Sequence, residues 1–139
     1  MSDVKAFLDT NLLVYLYSDS DVSKRQLVVQ TINKYERFVS TQVLNEFCNV
    51  CIRKLKLPVS DIHNAIQEIC NTCNLVYIDD KTVIKALGNH ERYGFSYYDS
   101  LIIASALESD CSYLLSEDMA DGQIIENQLT IANIFSNSK

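Results

Sequence analysis

Short strand-like segments separated by long helical ones leave this chain few folds to choose from. Residues 4–8 are apolar except for Lys5, residues 38–40 (Phe38-Val39-Ser40) and 113–115 are shorter strand candidates, and residues 75–78 and 129–134 complete the set. Between them, apolar side chains recur at helical spacing. The clearest case is residues 41–56, where Val43, Leu44, Phe47, Cys48, Cys51, Ile52 and Leu55 form one stripe before Pro58 stops the helix. Helices are also predicted over residues 12–17, with Thr10 or Asn11 as cap, and over residues 22–37. A further helix, capped by Ser60 or Asp61, turns Ile62, Ile66, Ile69, Cys70 and Cys73 inward. Another opens at Asp79-Asp80 and runs to about Tyr93. The last, residues 100–109, starts at Asp99 and is apolar on most sides, so it must be largely buried. Strands alternating with helices predict an α/β fold, a three-layer α/β/α sandwich with a central parallel sheet. With 139 residues, the chain is read as one domain, 1–139, able to bury roughly two-thirds of its unfolded surface.

Composition narrows the setting. The longest strictly apolar run is six residues, far short of the ~20 that span a bilayer. Residues 1–5 lack the basic and apolar stretches of a secretion signal. Five cysteines do not suit a closed disulfide framework, so a reducing cytoplasm is the expected location. Twelve basic against eighteen acidic residues give a net charge of −6. That argues against gripping nucleic acid by bulk charge, but not against acids clustered around a cation, which reverses the local field.

In parallel sheets ligands bind beyond the carboxyl ends of the strands, and that rule selects four acids. Asp9 follows the first strand. Glu46 sits in the second turn of the helix after the second. Asp118 follows the strand at 113–115. Asp99 starts the helix leading into that strand, which places it at the same end of the sheet. Singly, each has a plainer explanation: Asp9 as a turn residue, Asp99 as a helix cap, Glu46 as a solvated side chain and Asp118 as part of an acidic turn. Together they would repel one another unless a cation lay between them. Oxygen donors without a nearby histidine favour Mg2+ or Mn2+ over zinc. Such an ion can activate water and stabilise a phosphoryl centre.

The motifs carrying these acids are Phe7-Leu8-Asp9-Thr10-Asn11, residues 41–46, the Tyr97-Tyr98-Asp99-Ser100 segment with its apolar continuation to Ala106, and Leu114-Leu115-Ser116-Glu117-Asp118. In this order and spacing they resemble the PIN domain, most of all the VapC-like toxins of type II toxin–antitoxin pairs, from Val4 to Ile134. The resemblance implies a parallel sheet between helices and a metal-dependent endoribonuclease that hydrolyses RNA. Its implied catalytic and metal-binding acids are Asp9, Glu46, Asp99 and Asp118. Asn11 and Ser116 match supporting polar positions, and Asp121 is an additional acid that could assist. It further implies an antitoxin partner and a homodimer.

Other features carry less. Cys48-x-x-Cys51 and Cys70-x-x-Cys73 have zinc-like spacing, but each pair falls on the apolar face of a helix with no tight turn after it. His63 reads as a surface residue. His90 and Arg92 could meet phosphate, and Tyr93, Phe95, Tyr97 or Tyr98 could stack on a base, although packing is the commoner role. Arg53, Lys54 and Lys56 suit a helix C-terminus. A phosphoaspartate or receiver domain would want a second acid where Asn11 stands, or a late lysine that is missing between Lys85 and Lys139. A non-catalytic PIN-like module binding RNA or protein is the alternative reading, although such a module has little use for a repulsive cluster of acids.

Overall fold

The computed structural model describes residues 4–136. Its strands are β1 (Lys5–Leu8), β2 (Glu36–Ser40), β3 (Asn74–Val76), β4 (Tyr113–Leu115), β5 (Ile124–Ile125) and β6 (Leu129–Ala132). Its helices are α1 (Thr10–Tyr17), α2 (Val22–Ile32), α3 (Thr41–Arg53), α4 (Val59–Thr72), α5 (Asp80–Tyr93) and α6 (Tyr97–Glu108). The strands form one sheet in the order β3-β2-β1-β4-β6-β5. All pairings are parallel except β5 against β6. This is the expected α/β architecture, with one addition. The two-residue β5, which follows the Gly122 turn (φ +87°), is too short to leave a periodic signal.

Successive strand residues point to opposite faces, yet Ala6, Phe7 and Leu8 are all fully buried. Both faces of the sheet are therefore covered. Leu12, Phe47, Ile103, Leu114 and Ile131 complete the centre of this core. Helix α6 is buried continuously from Ser100 to Leu107, as its all-round apolar sequence requires. Among the described residues, no helix is long and apolar enough to cross a membrane.

The strand order sets the position of the crevice. From β1, the chain builds outward through β2 and β3 on one side and through β4 and β6 on the other. The carboxyl ends of β1 and β4 thus flank the point where the order reverses, which is where parallel sheets open a binding crevice.

Several boundaries differ from the sequence reading, each for a local reason. Helix α2 stops at Ile32, not at Arg37. Glu36 N–H donates to Val4 O at 2.9 Å and draws the chain into β2, while the Arg37 guanidinium bonds the carbonyls of Ile32 and Thr72. Asp9, not Thr10 or Asn11, caps α1. Helix α4 begins directly after Pro58 with no side-chain cap, so Ser60 and Asp61 lie in its first turn. Strand β3 begins one residue early, and β6 ends at Ala132. Ser96, not Asp99, caps α6, with Asp99 N–H donating to its Oγ at 3.2 Å.

Candidate active site

Four separate segments deliver acids to the crevice. Asp9 is the residue at which β1 ends and α1 begins, and its N–H still donates to Leu115 O at 3.0 Å as an extension of the β1–β4 pairing. Strand β2 runs into α3 without a loop because its last residue, Ser40, accepts from Val43 N–H at 3.3 Å as the helix cap. One turn further along α3 stands Glu46. Asp99 lies in the first turn of α6. Asp118 follows β4. All four line one cavity of about 320 Å³, together with Thr10, Asn11 and Asn49.

Hydrogen bonds fix most of these carboxylates. Asp9 Oδ1 accepts from Thr10 N–H at 2.7 Å, and Oδ2 accepts from Ser116 Oγ at 2.7 Å. Glu46 accepts from Thr10 Oγ1 at 2.7 Å and from Gln42 Nε2 at 3.3 Å, one bond on each oxygen. Asp118 Oδ2 accepts from Asn11 Nδ2 at 2.6 Å. The two supporting residues expected from sequence thus each hold one acid. Thr10 and Gln42 were missed. Thr10 reads in sequence as a helix cap, and the one available signal for Gln42 is its i,i+4 spacing from Glu46 on the predicted helix.

The electrostatics favour a cation. Asp9 is buried. Burial, reinforced by the charges of Asp99 and Glu46 and only partly offset by the Ser116 and Thr10 bonds, pushes its carboxyl up to about 6. Burial also raises Asp99, helped by Asp118 and Glu46 and opposed by Ser96. Positive charge placed among these groups would reverse both shifts. The donor set is all carboxylate oxygen, which suits Mg2+ or Mn2+. As they stand, no three Asp, Glu, His or Cys side chains among the described residues are gathered tightly enough to hold one ion. One or two of these carboxylates would hold such an ion directly, with water completing its shell and linking it to the others.

Other residues stand apart from the cavity. Asp121 bonds the backbone of Asn133 at 2.8 Å and the hydroxyl of Ser136 at 3.0 Å, holding the chain beyond β6. Glu117, beside Asp118, turns to Tyr15 and Lys24. His90 Nδ1 bonds Phe95 O at 2.5 Å, bridging the end of α5 to the segment before α6. The five cysteines are free thiols, with Cys51 and Cys111 buried and Cys70 exposed.

A family model described as the PIN domain matches residues 6–120. Among solved structures, a toxin–antitoxin complex from Klebsiella pneumoniae matches with a TM-score of 0.70 at 17% identity, over 93% of this chain and 97% of that one. Mycobacterium tuberculosis VapC20, described as a sarcin–ricin loop cleaving toxin, gives 0.66 at 14% identity over 78% and 86%. VapBC2 from Rickettsia felis, solved with a DNA fragment from its promoter, gives 0.64 at 18% identity over 94% and 100%. At these identities the likeness to the solved structures is one of fold. No curated protein matches the sequence.

Proposed function

This chain belongs to the PIN domain family, and from that premise we propose that it is a Mg2+- or Mn2+-dependent endoribonuclease that hydrolyses phosphodiester bonds in RNA. The observation carrying this reading is the meeting of Asp9, Glu46, Asp99 and Asp118, from four separate segments, in one cavity at the β1–β4 switch point. The four acids are assigned as the residues that hold the metal. When bound, the ion lowers the pKa of water and offsets charge on the scissile phosphate. The chain's own contribution is to orient the acids. Ser116 and the Thr10 N–H fix both oxygens of Asp9, Thr10 Oγ1 and Gln42 fix Glu46, and Asn11 fixes Asp118. In the absence of a cation, the same carboxylates repel a phosphate. Metal and substrate binding are therefore coupled.

The likeness to toxin–antitoxin structures supports a finer reading. The protein is the toxin of such a pair, acting in the cytoplasm as a homodimer and restrained by an antitoxin protein.

The test is cleavage of total cellular RNA with Mg2+ or Mn2+, with EDTA and Asp99→Asn as controls. Discrete fragments that need metal and vanish in the variant are expected. Absence of cleavage with either ion, together with absence of stabilisation by either, would replace this reading with that of a non-catalytic module binding RNA or protein.

A further inference from the structure

A second cavity, of about 450 Å³, adjoins the acidic one and shares Glu46 and Asn49 with it. Gln42, Asn45 and Asn49 lie along one side of α3, and Tyr98 and Leu101 of α6, with Thr41 and Ile78, complete the lining. We infer that this groove is a nucleobase subsite, taking the base of a nucleotide beside the scissile phosphate, stacked on Tyr98 and hydrogen-bonded by the α3 amides. The inference rests on the nuclease reading for its substrate and adds how that substrate is chosen.

Charge decides what part of a nucleotide fits. The groove lining holds no cation, and its one ionisable group besides the Tyr98 phenol is Glu46. An anion is repelled there, and a neutral, planar, hydrogen-bonding group is not. The amides then supply the pairing chemistry. The two acceptors around Gln42 Nε2, Glu46 Oε2 at 3.3 Å and Tyr98 O at 3.1 Å, fix which way that amide faces. Its Oε1 is left shielded from solvent with no donor, a costly state. Asn45 and Asn49 are exposed, and each offers the adjacent donor and acceptor that match a base edge.

Tyr98 supplies the platform. It is 64% exposed, and a T-shaped contact with Tyr97, centroids 5.5 Å apart, steadies the ring. A base stacked on such a ring is held whatever its identity, and the amides add selectivity. Ile78 and Leu101 alone would suit a protein segment equally well. The amide row favours the base.

The test has two arms. In the first, the side-chain NH2 signals of Gln42 and Asn45 in the full chain are followed by NMR in EDTA. The probes are adenosine, guanosine, cytidine, uridine and a capped leucine dipeptide. Nucleosides carry no phosphate, so this arm needs neither metal nor cleavage. Saturable shifts with at least one nucleoside are expected, weakened about tenfold by Asn45→Ala or Tyr98→Ala and little by Tyr98→Phe. In the second arm, the bases flanking the cut sites are mapped. The parent should show a preference at one flanking position, and Asn45→Ala and Tyr98→Ala should each erode it about tenfold while cutting continues. The inference is overturned if no nucleoside moves those signals, if only the dipeptide does, or if parent and variants share one cleavage profile. If the parent cuts no RNA but nucleosides still bind, the nuclease reading falls and the base subsite stands.

Discussion

Ser116 Oγ donates to Asp9 Oδ2 at 2.7 Å, joining residues 107 positions apart at the carboxyl ends of two adjacent strands. The bond aims an acid that burial would otherwise drive toward its neutral form. Ser116→Ala should therefore weaken Mn2+ binding by about 10–100-fold, the usual loss when a group orienting a ligand is removed. A Mn2+ titration of cleavage rate or of thermal stability reads this directly. An unchanged half-saturation point would show that the hydroxyl does not orient the site.

Asp9 also gives the metal-free protein a pH dependence with a definite sign. Its folded pKa of about 6 lies above the ordinary 3.8, so the folded state binds this proton more tightly than the unfolded state does. The cost of Asp9 is absent below about pH 3.8, grows as pH rises toward about 6, and is constant above it. The shift corresponds to about 3 kcal/mol. Asp9→Asn removes the ionisation while keeping a good helix cap. Urea unfolding in EDTA should therefore show the variant gaining on the parent by up to that amount between about pH 4 and about pH 7. A gap independent of pH would refute the assignment.

Metal should act on stability through the same acids. Mn2+ at about a hundred times its Kd should stabilise the parent by about 2.7 kcal/mol. Asp9→Asn and Asp99→Asn should lose most of that gain. Equal stabilisation of parent and variants would place the ion elsewhere.

Glu117 provides a contrast to its neighbour Asp118. It accepts from Lys24 Nζ at 2.5 Å and from Tyr15 OH at 2.7 Å. Burial opposes its ionisation, but those two bonds hold its carboxyl below the ordinary range. Lys24 in turn lies over the Tyr15 and Phe135 rings. Both charged groups are partly solvated, so Glu117→Gln should cost no more than about 1 kcal/mol. It should also leave Mn2+ half-saturation far closer to the parent than Ser116→Ala does. A larger effect on metal binding would make Glu117 part of the site.

In the core, Phe47 is fully buried beneath Tyr17, with ring centroids 5.5 Å apart. It lies one residue beyond Glu46. Phe47→Ala should cost roughly 3–5 kcal/mol in denaturant unfolding. A loss below about 1 kcal/mol would mean that the site collapses around the gap.

Much of this arrangement was legible in the sequence because it is written locally. The apolar stripe of α3, the all-round apolar α6 and the Asp79 start of α5 each depend on side chains within a few turns of one another, and each element formed close to where periodicity put it. The topology rule then brought Asp9, Glu46, Asp99 and Asp118 to one end of the sheet. Boundaries decided by distant partners were misread. Helical periodicity extends α2 to Arg37, yet the Arg37 guanidinium bonds carbonyls at the ends of both α2 and α4. Asp121 read as one more acid beside Asp118, and the chain returning after β6 turned it to Asn133 and Ser136.

By itself, then, the sequence determined the α/β alternation, the buried helix and the expectation that four acids stand at one end of the sheet, since side-chain spacing follows from neighbours along the chain while the order in which strands pair does not. Only the tertiary structure decided which groups hold each acid and what lies beside them. Thr10 meets Glu46, Ser116 meets Asp9, Asn11 meets Asp118, and α3 faces the start of α6 across an amide-lined groove. Those pairings depend on the angle and distance at which separately formed elements pack, and no local pattern encodes them.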